Sequence, residues 1–221
     1  DDRRPVIAQL ALHKSRYTRG SDDSWGGSVN LEWKPAAAVL VKFGPEFEHS
    51  RASAHFVGTF ADSTASTTFG SRYVFADLEQ TTLSVNLRLN WTFSPTLSLE
   101  LYAQPLISSG NFRDYKEFSK SRGFQFLSYG SAGSTITPVT DAHGQVVTYD
   151  VDPDGSATLA TPFSFDNPDF NFASLRGNAV LRWEYLPGST RYFVWTQDRP
   201  APSLDGEFGT SRSLSQLGHA R

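Results

Sequence analysis

From Thr82 to Phe93 every second residue is apolar: Leu83, Val85, Leu87, Leu89, Trp91 and Phe93. The residues between them, Thr82, Ser84, Asn86, Arg88, Asn90 and Thr92, are all polar. A helix advances about 100° per residue and would scatter such a set around its circumference, whereas a β-strand sorts it onto two faces. Ser94-Pro95-Thr96 then turns the chain, and the alternation resumes as Leu97, Leu99, Leu101 and Ala103 against Ser98, Glu100, Tyr102 and Gln104. With Pro95 at the turn centre, antiparallel pairing sets Trp91 opposite Leu99 and Leu89 opposite Leu101. The same register matches Asn90 with Glu100 and Arg88 with Tyr102 on the polar side. Both faces agree, so the segment is read as a hairpin.

The pattern recurs. Val29, Leu31 and Trp33 alternate with Ser28, Asn30 and Glu32, and Lys34-Pro35-Ala36 leads into Val39, Val41, Phe43 and Phe47. Leu175, Gly177, Ala179, Leu181, Trp183 and Tyr185 form another apolar set, and Leu186-Pro187-Gly188-Ser189 turns into Arg191–Gln197. Weaker strands are expected at Val6–Arg16, Ala52–Phe60 and Arg72–Leu78, giving about nine in all. No long window carries a helical period. The fold class is all-β, an antiparallel up-and-down arrangement.

Strands with one apolar and one polar face suit either a transmembrane barrel or a soluble sandwich. Two asymmetries favour the barrel. The turns at Lys34–Ala36, Ser94–Thr96 and Pro187–Ser189 are tiny, while the connections at the opposite strand ends include Tyr17–Gly26 and the very long Ile107–Ala173. Short periplasmic turns and long extracellular loops are the outer-membrane arrangement. Trp33, Trp91, Phe93, Trp183 and Tyr185 also cluster beside the short turns, where an interfacial aromatic girdle belongs. The expected organisation is barrel strands over 1–198, with 107–173 a plug-like extracellular loop and 199–221 a Pro/Ser/Gly-rich tail. Single-chain bacterial barrels have even strand numbers, so about nine strands are expected to be part of a larger barrel. The chain also lacks methionine, as a processed product or a piece of a longer polypeptide would.

Four stretches carry a resemblance: Arg72-Tyr73-Val74-Phe75-Ala76, Gln80-Thr81-Thr82-Leu83-Ser84, Leu97 to Pro105, and Asn178 to Thr190. They resemble the C-terminal outer-membrane barrel region of large bacterial proteins that carry an N-terminal family 9 carbohydrate-binding-like module. The similarity covers roughly Ala38 to Gln197. It implies fold and location, and no residue here inherits a sugar-binding role, because the module itself is absent.

Composition narrows the chemistry. The absence of cysteine removes disulfides, thiol catalysis and cysteine-ligated metals. A net charge of −3 offers no footprint for nucleic acid. No nucleophile elbow, phosphate loop or dinucleotide fingerprint occurs, and the chain is read as non-enzymatic. His13, His49, His55, His143 and His219 lack ligand spacing, and Glu46/Glu48 share a strand face without a partner for acid–base work. Asp150, Asp152 and Asp154, closing on Gly155, resemble half a Ca²⁺ loop, but the twelfth position is Thr161 instead of a bidentate Glu. An acidic surface turn of ordinary Asp-Pro and Asp-Gly chemistry explains the motif better. Phe112, Tyr115 and Phe118 at i, i+3, i+6 suggest a short amphipathic helix tucked into the barrel mouth.

The expected function is binding or passage of a small polar or saccharide ligand through a lumen. Its lining would be Arg88, Asn90, Glu100, Gln104, Arg176, Asn178, Arg182 and Glu184. The expected location is the bacterial outer membrane, with lipid on the apolar side. Closure is expected to come from further segments of the polypeptide or from another chain. The alternatives are a membrane anchor or subunit of a larger envelope assembly, and a soluble glycan-binding sandwich.

Overall fold

The computed structural model describes residues 5–17, 22–155 and 159–203, together with Gly206 and Phe208. Seven long strands form a continuous antiparallel sheet: β1 (Val6–Arg16), β2 (Asp23–Ala36), β3 (Val39–Ala61), β4 (Ser71–Ser94), β5 (Leu97–Phe118), β10 (Phe170–Leu186) and β11 (Ser189–Ser203). The short β6 (Phe126–Ser128) adds to the end of β5. A second sheet comprises β7 (Thr135–Thr140), β8 (Val146–Asp152) and β9 (Phe163–Asp166). Among the described residues no pairing joins β1 to β11, so the large sheet is open. Most of the tail expected over 199–221 lies outside the described residues, although Arg199 to Ser203 extend β11.

The hairpin register follows the alternation. Trp91 pairs with Leu99, Leu89 with Leu101, Asn90 with Glu100 and Arg88 with Tyr102. The count of about nine strands is corrected, because two pairs of expected strands are single strands. Val39–Phe47 and Ala52–Phe60 fuse into β3, which is 23 residues long, and Arg72–Leu78 and Thr82–Phe93 fuse into β4, which is 24. Register shifts at Ala52/His55 and Phe56/Gly58 put β3 out of phase, so one strand reads as two. The expected helix is corrected too. Phe112 and Tyr115 lie on β5, and an extra residue, Asp114 with φ 54°, bulges between them. The bulge puts both rings on one face despite their odd spacing. With β5 running to Phe118 and β10 starting at Phe170, the connection expected over 107–173 shortens to 119–169.

The sheet has two halves. Near the short turns, apolar rows cross it strand by strand, such as Val6, Trp33, Val41, Leu89, Leu101 and Ala179. Apart from the buried Ile107, Ala173 and Gly177, these rows are half-buried or exposed; Leu10, Leu12, Trp33, Trp91 and Trp183 all face outward. Beyond Gln80 the polarity exchanges faces. Leu78, Ala76 and Val74 continue the face that carries Thr82, Ser84 and Asn86, yet they are buried. With Phe112, Tyr115, Tyr129, Val151 and Phe165 they form the core. The 119–169 connection, an insert between β5 and β10, covers them: Phe60 stacks on Phe163 at 4.2 Å, and Tyr115 meets Tyr149 at 4.8 Å. The opposite face here carries Arg51, Asp77, Glu79 and Arg113.

Candidate functional site

The polar face of the short-turn half holds two adjoining clefts. Pairing lines up Ile7, Glu32, Lys42, Arg88, Tyr102 and Asn178 across six strands, because each side chain takes the same phase of the alternation. A cleft of about 630 Å³ lies over Gln9, Asn30, Glu32, Lys42, Asn86, Arg88 and Tyr102. A second, of about 420 Å³, is lined by Arg88, Asn90, Glu100, Tyr102 and Asn178. Arg88 and Tyr102 belong to both.

Four of the eight expected lining residues, Arg88, Asn90, Glu100 and Asn178, therefore meet in one cleft. Gln104 and Arg176 pair with each other one row further up, and Arg176 reaches Asp198 at 3.5 Å with both side chains exposed. Arg182 and Glu184 form their own pair at 3.4 Å near the last short turn, where Gly188 N–H donates to Glu184 Oε1 at 3.2 Å. The sequence reading omitted Gln9, Glu32, Lys42, Asn86 and Tyr102. Asn86 and Tyr102 already lie on the polar face of the hairpin, and carrying its phase across β3, β2 and β1 adds Lys42, Glu32 and Gln9.

Cations outnumber anions along the central row. Glu32 bridges Lys34 and Lys42, at 2.9 Å each. The Arg88 guanidinium lies 5.9 Å from the Tyr102 ring centre, and the Tyr102 hydroxyl donates to Asn86 Oδ1 at 3.3 Å. Amide, aromatic and cationic groups on one wall can hold polar solutes by hydrogen bonds and ring contacts.

Elsewhere the titratable groups clamp structure. Arg72 Nε donates to Asp62 Oδ2 and Nη1 to Glu117 Oε1, each at 2.6 Å. The Tyr129 hydroxyl donates to Glu117 Oε2 at 3.1 Å, and Thr64 donates to Asp62 Oδ1 from both N–H and hydroxyl. Burial raises the Asp62 carboxyl pKa, but the bonds from Thr64 and Arg72 outweigh it and leave the pKa below the ordinary value. Burial and the nearby Glu117 push the Tyr129 hydroxyl pKa up, so it remains a donor. This network fastens the 62–70 loop, β5 and the insert to one another.

Asp150 pairs with Thr137 and Ser164 within the small sheet. Asp152 Oδ1 accepts from Gly155 N–H at 2.9 Å, and Asp154 Oδ2 accepts from Leu159 and Ala160 N–H, both at 2.9 Å. The bonds from Ala160 and Leu159 hold the Asp154 carboxyl below its ordinary pKa. These oxygens serve their own turns, and among the described residues no group of three His, Asp or Glu side chains can hold a metal ion. No helix among the described residues is long and apolar enough to cross a membrane. No family model, curated protein or solved structure matches this chain.

Proposed function

We propose that the seven long strands are part of an outer-membrane β-barrel that binds or passes a small polar or saccharide ligand along its polar face. The exchange of polarity between the faces of β4 carries this reading. A sheet surrounded by water buries its apolar face along its whole length, as the long-loop half does. The short-turn half instead leaves its apolar rows half-buried or exposed, which suits hydrocarbon. From Leu83 to Phe93 these rows run roughly 33 Å along the strand, and a tilt of about 40° makes the band about 25 Å tall. Trp33, Trp91, Phe93, Trp183 and Tyr185 sit at its short-turn border, and Trp25, 5.2 Å from Phe47, sits near its other border. Aromatic rings of that kind anchor at membrane interfaces.

The anchor reading draws support from the insert, which covers the polar-side face of the sheet in its upper half. The soluble sandwich requires a second sheet on the apolar rows, and among the described residues no strand packs there. Leu87→Arg should weaken insertion by about 2–4 kcal/mol, the cost of a cation on the lipid face at mid-membrane. Asn86→Arg, one residue away on the polar face, should be tolerated. Urea titration of folding into lipid vesicles measures both. Equal costs would overturn the reading.

A further inference from the structure

We infer that Arg88, with Lys42 directly opposite on β3, makes the row where the two clefts meet selective for small anions bearing a carboxylate or phosphate group. The inference rests on the proposed passage or binding role and names the charge class of its ligand. Like charges placed opposite one another on a sheet face destabilise it, yet Lys42 and Arg88 are register partners. Lys42 shares Glu32 with Lys34, so one carboxylate serves two ammonium groups. Among the described residues Arg88 has no carboxylate within ion-pair distance. Its guanidinium lies over the Tyr102 ring, and the residue is exposed. Glu100 sits one row nearer the short turns, opposite Asn90. Along the row where the two clefts meet, Lys42 and Arg88 outnumber Glu32 by one, whereas over both clefts Glu32 and Glu100 equal them in number, so the positive excess is confined to that row.

The geometry suits an oxyanion. A guanidinium offers paired N–H donors that match two oxygens of a carboxylate or phosphate. Asn90 and Asn178 add amide donors in the same cleft. Arginine and lysine side chains lining a pore favour anions by their field.

Reversal potentials across planar lipid bilayers holding the closed barrel, this chain together with the segments or partner that complete it, test the inference in a KCl gradient. Wild type should pass chloride in preference to potassium. Arg88→Gln should lower the anion-to-cation permeability ratio roughly fivefold, the factor that corresponds to one unit charge at close range in water. Arg88→Lys, which keeps the charge, should retain the ratio, and Lys42→Gln should lower it by a smaller factor. Should Arg88→Gln fail to insert, Lys42→Gln alone makes the test. Arg191→Gln, on the opposite face beside Trp183, is the control for surface charge. Wild-type conductance with a ratio that both glutamine variants leave unchanged would overturn the inference alone. No wild-type conductance would overturn the passage reading and, with it, the inference.

Discussion

The two halves of β4 follow opposite rules. Between Thr82 and Thr92 the even-numbered side chains are polar, and Asn86, Arg88 and Asn90 among them line the clefts, while their odd-numbered neighbours form the open apolar rows. Between Val74 and Leu78 the even-numbered side chains are buried apolar residues, and Asp77 and Glu79 turn the other way. Backbone pairing to β5 runs through both stretches. Hydrogen bonding therefore cannot tell the halves apart, and the difference lies in what each face touches. In the long-loop half the insert supplies apolar partners, and burial at about 25 cal/mol per Å² drives the packing. In the short-turn half no insert strand does so. A strand thus records a change of surroundings in its sequence without any break in its backbone.

The strongest way to break this comparison is to treat Leu78 as though it belonged to the other half. Leu78→Arg keeps to the face on which Asn86→Arg should be harmless, but it buries an unpaired cation beside Phe112. It should cost more than about 4 kcal/mol, with the loss confined to the long-loop half. Proteolysis within 119–169 reads the loss. An insert as protected as in wild type would mean that the core does not depend on that face.

Arg72→Ala should come next, at about 3 kcal/mol, because it strands two carboxylates in a closed network. Acid sharpens this test. Asp62 has a lowered folded pKa, so its contribution is present above the ordinary value of 3.8 and fades as pH falls through the folded value. Wild type should release the 62–70 loop only in that acid window. In Arg72→Ala the window should move upward, since the cation that holds the pKa down is gone. Hydrogen exchange across Ala61–Ser71 follows both, and an unchanged window would detach Arg72 from the clamp.

The smallest effect belongs to Glu79→Arg. It removes an exposed pair with Arg51 at 3.3 Å and should cost less than about 1 kcal/mol. Glu79 shares the odd-numbered phase of Leu87, so the two arginine variants bracket the border between the halves. A Glu79→Arg cost equal to that of Leu87→Arg, measured by the same vesicle titration, would erase the border.

Much of this was legible in the chain. Strict alternation from Thr82 to Phe93 predicted the face assignment and every hairpin pair tested, because a period of two leaves a single in-phase register around Pro95. The fused strands were hidden for two reasons. On β4 the apolar set changes phase near Gln80, and a pattern reader takes the change for a gap. On β3 the irregularities after Ala52 scramble the phase. Phe112 and Tyr115 mimicked a helix because a bulge adds one residue to a period of two, giving the same spacing as i, i+3. At the site, Arg88, Asn90 and Glu100 followed from one hairpin, and Asn178 from the neighbouring strand phase. Glu32 and Lys42 required the register of β2 and β3, which turns alone did not fix. The Asp62–Arg72–Glu117 clamp joins distant positions through loop geometry, and no local pattern announces it.

The length of β4 has a consequence for approach to Arg88. At roughly 3.4 Å per residue, the guanidinium sits roughly 55–60 Å of strand below Ser71 but only about 20 Å from Ser94. Ions at physiological strength extinguish a charge's influence over about 8 Å in open solution. An anion arriving from the long-loop rim therefore travels many screening lengths without being drawn, whereas one from the short-turn rim crosses only two or three. Neither approach is accelerated by steering. On the proposed passage reading, the Lys42–Arg88 row acts on dwell time once a molecule has entered, and so uneven a path on its two sides makes the traffic of charged solutes asymmetric.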